Sequence, residues 1–131
     1  MENNNDDRVN QNMISNSKIN KIDSLLYNFH QVCRSVCKIL ISNRKGSGFF
    51  MKLTKRNHPL YCLMTCEHVI KMKELESKKD IKITIYYDNE NEFRVIDLNK
   101  EKRFIRDFLY MNIDAIIIQI IEEDYISDNF F

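Results

Sequence analysis

The pattern of apolar and polar positions divides the chain into a polar beginning, one helical segment and a series of short strands. Residues 1–17 are rich in Asn and carry few large apolar side chains. So little apolar surface cannot offset the entropy lost on ordering, so we expect a disordered tail. Apolar residues then recur at three- and four-residue steps, which predicts an amphipathic helix over residues 18–32 with Ser17 as its N-cap.

After this helix the apolar period changes towards two, which is typical of strands. We predict six strands, at residues 36–41, 47–53, 60–65, 81–87, 93–98 and 114–121. The third is apolar on both faces and should lie centrally in its sheet. Short strands with hairpin-like links predict a mainly β domain over residues 33–121, a six-stranded antiparallel barrel preceded by one helix. Residues 122–131 are interpreted as a C-terminal loop at which the domain is truncated.

Turn-forming residues are unusual in this chain. It contains only two glycines and one proline, fewer than a β-rich domain normally uses. Asn tolerates the left-handed backbone conformation that tight turns require. We therefore expect Asn-containing pairs to take the place of glycine in several turns.

Charge and composition narrow the range of functions. The 131 residues are room for one small domain, and 20 basic against 19 acidic residues give a net charge of +1. This balance predicts no nucleic-acid surface. The first residues form no apolar signal core, and no apolar run approaches the roughly 18–20 residues of a membrane helix. We expect a cytoplasmic protein with no membrane partner and with its four cysteines as free thiols.

Three segments carry the candidate chemistry. Residues 46–50 read Gly-Ser-Gly-Phe-Phe, residues 63–70 read Leu-Met-Thr-Cys-Glu-His-Val-Ile, and residues 113–118 read Ile-Asp-Ala-Ile-Ile-Ile. Their order resembles the N-terminal barrel of the trypsin-like (chymotrypsin-fold) serine peptidases, closest to the HtrA-like branch. The resemblance covers about residues 35–121 and implies catalytic roles for His68 as the general base and Asp114 as its orienting acid.

Physical chemistry is consistent with these roles. Histidine suits a general base because its pKa lies near neutrality, and a buried carboxylate can fix its tautomer. Asp114 directly precedes an apolar strand, where a carboxylate needs a partner. In the family, the nucleophile lies in a G-x-S-G turn of a second barrel, and no such segment occurs here. The resemblance therefore implies the N-terminal portion of a protein that hydrolyses peptide bonds, inactive by itself.

Other interpretations remain open. Ser47 lies between two glycines, but we expect a structural role with tight packing around Gly48. A non-enzymatic β module that binds a protein partner, or a copy of itself, is the alternative function. Four thiolates can hold zinc, but Cys37 and Cys62 lie in apolar strand patterns where buried free cysteine is common. Cys66, two residues before His68, is a candidate reactive thiol, although the resemblance implies a non-catalytic small or polar residue at this position. We predict no cofactor and no metal.

Overall fold

The computed structural model describes the backbone of residues 6–131 and the side chains of residues 20–131 except that of Lys55. The chain divides into two units, Met1–Cys33 and Arg34–Phe131. In the described part of the chain, none of the helices combines the length and the apolar content that a membrane crossing requires.

The first helix, α1, covers Asp6–Ser35 and is longer than expected. The predicted start at residue 18 and the N-cap at Ser17 are wrong, because Ser17 lies inside the helix. The disordered tail predicted for residues 1–17 is helical from Asp6 onward, while residues 1–5 lie outside the described residues. Acidic residues in the first turn favour a helix start, and no glycine or proline interrupts α1. The backbone N–H and C=O groups of a helix bond to each other within the helix, so these hydrogen bonds form without a buried apolar face.

Seven strands follow: β1 Val36–Ile41, β2 Arg44–Lys55, β3 His58–Thr65, β4 Lys82–Tyr87, β5 Glu92–Asp97, β6 Ile105–Phe108 and β7 Ile113–Gln119. A short helix, α2, covers Met72–Ser77, and single 3₁₀ turns cover Leu109–Met111, Glu122–Asp124 and Asp128–Phe130. The strands form one antiparallel sheet in the order β5-β4-β1-β2-β3-β7-β6. The predicted mainly β, antiparallel architecture is confirmed.

The strand count and the closure of the sheet differ from the prediction. Strand β6 was not predicted, because its four residues are too short to show alternation and two of them are charged. Strands β5 and β6 are the two edges, and within residues 6–131 no ladder joins them, so the sheet is open rather than a closed six-stranded barrel. The two edges are nevertheless consecutive in the chain, joined only by residues 98–104.

The main core cluster lies on one face of the sheet. Fully buried side chains come from strands near both edges and from the centre: Ile39, Leu63, Ile83, Ile85, Ile96, Ile116 and Ile118. Because one cluster contains residues of β1 to β5 and β7, the sheet must curve around it. Cys62 and Leu63, neighbours that point to opposite faces of β3, are both fully buried. The prediction of a central third strand is confirmed, since β3 pairs with β2 and β7.

The turns use non-glycine residues, as expected. Asn57, Asn89 and Asn112 all have a positive φ, and neither glycine does. The two glycines therefore serve a different purpose, which is close approach between neighbouring segments.

Candidate functional site

The end of β3 is held in place by both of its neighbouring strands. Thr65 pairs with Gly48 of β2 and with Ile116 of β7. Its side chain is buried, and its hydroxyl donates a 2.8 Å hydrogen bond to the carbonyl oxygen of Ser47. The next residues, 66–70, therefore leave the sheet from a fixed point.

These residues form a tight turn. The backbone N–H groups of Val69 and Ile70 donate to the carbonyl oxygen of Cys66, at 3.1 and 3.3 Å. The side chains of Val69 and Ile70 are buried in the core. This anchoring leaves the His68 side chain largely exposed, at 69%.

Two residues of β2, Arg44 and Gly46, contact the turn at Val69. A Cβ atom at Gly46 would lie 2.6 Å from both γ carbons of Val69, so only glycine permits this approach. Arg44 donates from Nε to the carbonyl oxygen of Val69 (3.2 Å) and from its two Nη atoms to the carboxylate of Glu74 (2.8 and 2.6 Å). Arg44 thus ties the turn to α2 as well as to the β1–β2 hairpin.

Asp114 approaches the turn of residues 66–70 from β7. The 3₁₀ turn Leu109–Met111 ends at Asn112, which has a left-handed backbone and whose N–H donates to the carbonyl oxygen of Leu109. The β6–β7 register shifts between Asp107 and Phe108. The chain then enters β7 with Asp114 as its second residue, beside the end of β3.

His68 and Asp114 make two hydrogen bonds. Atom Oδ2 of Asp114 lies 2.5 Å from His68 Nδ1, and Oδ1 accepts a 3.0 Å bond from the backbone N–H of His68. The bond to the His68 ring, followed by bonds to the backbone N–H groups of His68 and Glu67, holds the pKa of Asp114 below its ordinary value. Since an ionised carboxylate only accepts, Nδ1 must be the donor. This arrangement leaves Nε2 as the ring nitrogen that can accept a proton.

One property of Asp114 differs from the expectation. The expected orienting carboxylate was buried, but the Asp114 side chain is 52% exposed. Water competes for an exposed carboxylate, which weakens its electrostatic effect on the imidazole. The two residues are thus hydrogen-bonded to each other, but both side chains remain exposed to solvent.

Cys66 is the third member of this cluster. Its Sγ atom, a ring nitrogen of His68 and a carboxylate oxygen of Asp114 all lie within 4.8 Å of one another. Cys66 is partly buried and packs against the core. Its nearness to His68 follows from a spacing of two residues. Its nearness to Asp114 depends on the pairing of β3 with β7, and sequence reasoning missed it.

The other cysteines do not join it. Within Arg34–Phe131, the described group of three or more potential metal ligands is Cys66, His68 and Asp114, and Cys37 and Cys62 are not part of it. Strand geometry buries Cys37 and Cys62, as expected, and Cys33 is exposed on α1. Burial raises the pKa of the Cys37 thiol to about 12 and that of the Cys62 thiol to about 11.

The structure confirms tight packing around Gly48. A Cβ atom there would lie 2.8 Å from both Ile39 Cδ1 and the carbonyl oxygen of Met64. Ser47 itself is exposed on β2, and its carbonyl oxygen accepts the Thr65 hydroxyl. The Gly-Ser-Gly segment therefore allows close contact between strands.

An exposed group of large apolar side chains precedes Asp114 along the chain. We call Leu109, Tyr110, Met111 and Ile113 the apolar rim; their exposed fractions are 45%, 66%, 55% and 45%. The alternating pattern of the strands gave no indication of this group, because it lies in the 3₁₀ turn and at the first position of β7.

Comparison with protein-family models, with curated proteins and with solved structures finds no significant match to this chain.

Proposed function

We propose that this chain is the N-terminal β-domain portion of a protein resembling the trypsin-like serine peptidases, and that His68 and Asp114 are its general base and orienting acid. The observation that carries the proposal is the double contact of Asp114 with the ring Nδ1 and the backbone N–H of His68. The antiparallel sheet supports it, because the three segments that carry the resemblance lie on β2, at and after the end of β3, and on β7.

The proposed chemistry is acyl transfer to a nucleophile supplied by another part of the protein. Asp114 holds Nδ1 as the donor, so Nε2 can take the proton of a hydroxyl that attacks a peptide carbonyl. Asp114 then stabilises the imidazolium that forms. The exposure of both side chains is consistent with a site that a second structural unit covers and desolvates.

The 131 residues contain no G-x-S-G segment, so by themselves they should not hydrolyse peptides. A nucleophile and its oxyanion hole supply most of the rate enhancement in this mechanism. A fluorophosphonate probe should therefore leave this chain unlabelled. Stoichiometric labelling of any of its serines would contradict the proposal that the nucleophile comes from another part of the protein.

The decisive experiment uses the complete reading frame that contains these residues. It should hydrolyse peptides, and Asp114→Asn should lower kcat by a factor of about 10⁴, as loss of the correct tautomer does in such triads. His68→Gln should lower kcat at least as much. The matched control is His58→Gln, because His58 is an exposed histidine at the opposite end of β3. Equal activity of the His68→Gln and His58→Gln proteins would overturn the proposal.

The second candidate function is a non-enzymatic module that binds a protein partner or a second copy of itself. The apolar rim favours it, because clustered exposed apolar side chains mark interaction surfaces. Sedimentation should show association that Tyr110→Asp abolishes. The control is Phe93→Asp, since Phe93 is 58% exposed on β5, at the other edge of the sheet. A monomer at high concentration would exclude self-association.

A further inference from the structure

The three side chains of the cluster offer three different donor atoms at one place. Cys66 supplies a sulfur, His68 an imidazole nitrogen and Asp114 a carboxylate oxygen, all within 4.8 Å of one another. Cys66 and His68 lie in the turn that follows β3, and Asp114 lies at the start of β7. Backbone pairing between β3 and β7 therefore fixes their relative positions.

Only small movements separate this arrangement from a metal site. Tetrahedral bonds of about 2.0–2.3 Å place neighbouring ligand atoms about 3.3–3.7 Å apart. The present Nδ1–Oδ2 distance of 2.5 Å is shorter, and the remaining separations reach up to 4.8 Å. The His68 and Asp114 side chains are 69% and 52% exposed, so they can adjust without disturbing the core. Cys66, packed against the core, is the fixed ligand.

The donor set selects the class of cation. Thiolate and imidazole ligands favour zinc and similar borderline-soft ions, whereas magnesium and calcium prefer a shell of oxygen atoms. A thiolate and a carboxylate also neutralise the two positive charges of the ion. Three protein ligands leave a fourth position for water or another ligand.

We propose that Cys66, His68 and Asp114 form a three-ligand site for a zinc-class divalent cation, and that occupancy of this site blocks His68 as a base. If Nδ1 binds the cation, the hydrogen bond to Asp114 is lost and the ring proton moves to Nε2, which can then accept no further proton. If Nε2 binds it, the nitrogen that accepts a proton is taken. The site does not depend on a peptidase function, because the three ligands all belong to this chain.

Co²⁺ is the probe, since its tetrahedral complexes absorb visible light and its thiolate complexes add a charge-transfer band in the near ultraviolet. The reduced wild-type chain should bind one equivalent and show both absorptions, and Zn²⁺ should displace the cobalt. Cys66→Ser should remove the charge-transfer band and weaken binding at least about tenfold, as even the loss of a group that only supports a ligand does. Cys33→Ser is the matched control and should leave both unchanged, because Cys33 is an exposed thiol outside the cluster.

The wild-type spectrum tests the proposal without any variant. Absence of a thiolate band, or its persistence in Cys66→Ser, would overturn the site. His68→Gln is the second variant, since it replaces a largely exposed side chain that the core does not require. Unchanged cobalt affinity in His68→Gln would also overturn it. Both results measure cobalt binding and not peptide hydrolysis. A negative result would therefore exclude the metal site, while the proposed function would still be tested by the activity of the His68 and Asp114 variants.

Discussion

Arg103 and Asp124 form a bidentate ion pair that is almost completely buried, with side chains 3% and 5% exposed. Nη1 and Nη2 of Arg103 lie 2.7 and 2.8 Å from the two carboxylate oxygens. Nη1 also donates to the carbonyl oxygen of Gln119, and Asp124 accepts from the backbone N–H of Ile121. The pair thus joins the connection between the two edge strands, residues 98–104, to the segment that follows β7.

Removing one member of this pair should destabilise the domain severely. Arg103→Met leaves the carboxylate of Asp124 buried without its cation, which we expect to lower the free energy of unfolding by about 3–5 kcal/mol. Urea denaturation measures this change. The double variant Arg103→Met/Asp124→Leu should recover a large part of the loss, because no unpaired charge remains. A double variant less stable than either single variant would contradict this explanation.

Gly46 should tolerate no side chain unless Val69 is shortened. In Gly46→Ala the new methyl group meets both γ carbons of Val69, and we expect a loss of about 1–3 kcal/mol from overpacking. Val69→Ala removes those carbons, so the double variant should be more stable than the sum of the two single effects predicts. Additive effects in urea denaturation would show that the contact does not determine the cost.

Gly48 provides the contrasting case. A methyl group at this position would meet the carbonyl oxygen of Met64 at 2.8 Å as well as the side chain of Ile39. Because a backbone atom cannot be shortened, Ile39→Val should not rescue Gly48→Ala. Rescue to wild-type stability, again measured in urea, would mean that the side chain alone limits the space.

The Arg44–Glu74 pair should make stability depend on pH in the acid range. Arg44 holds the pKa of Glu74 below its ordinary 4.5, chiefly through their hydrogen bonds. The unfolded state therefore binds a proton more readily, so the contribution is complete above pH 4.5 and disappears as pH falls through the lowered pKa. Glu74→Gln should cost up to about 1 kcal/mol at neutral pH, since both side chains are about a third exposed.

Urea denaturation of wild type and Glu74→Gln between pH 3 and 7 checks this dependence. The two curves should converge at the acid end. The control is Glu90→Gln, whose partner Lys38 is more exposed, so a smaller loss at neutral pH is expected. A difference between wild type and Glu74→Gln that persists at the acid end would contradict the role of this carboxylate.

The four thiols should react at very different rates. At pH 8, the pKa of about 11 leaves roughly one thousandth of Cys62 as thiolate, and the pKa of about 12 leaves still less of Cys37. Iodoacetamide followed by mass spectrometry should find Cys33 modified first and these two protected. The same reaction in urea should modify all four cysteines. Modification of Cys62 as fast as Cys33 in the folded chain would contradict the burial of β3.

The sequence by itself determined the local elements. A period of two marks β1 and β4 because each of these strands has one face on the core, and Asn-containing turns compensate for the scarcity of glycine. Strand β3 is instead an apolar run, and its neighbours Cys62 and Leu63 are both buried. The motif around His68 is also local, since the turn after β3 follows from residues 65–70. The extent of α1 escaped prediction, because a helix built on local hydrogen bonds need not show an apolar face throughout.

Only the tertiary structure decided which distant groups meet. Asp114 lies 46 residues from His68, and their contact depends on β7 pairing with β3. The same pairing brings Asp114 to Cys66, and the packing of residues 98–104 buries Arg103 against Asp124. The apolar periodicity of the sequence does not predict such contacts, because it is a local property. Which strand pairs with β3 depends on how the whole core packs. The open edges of the sheet and the exposure of the His68–Asp114 pair are likewise properties of the assembled domain.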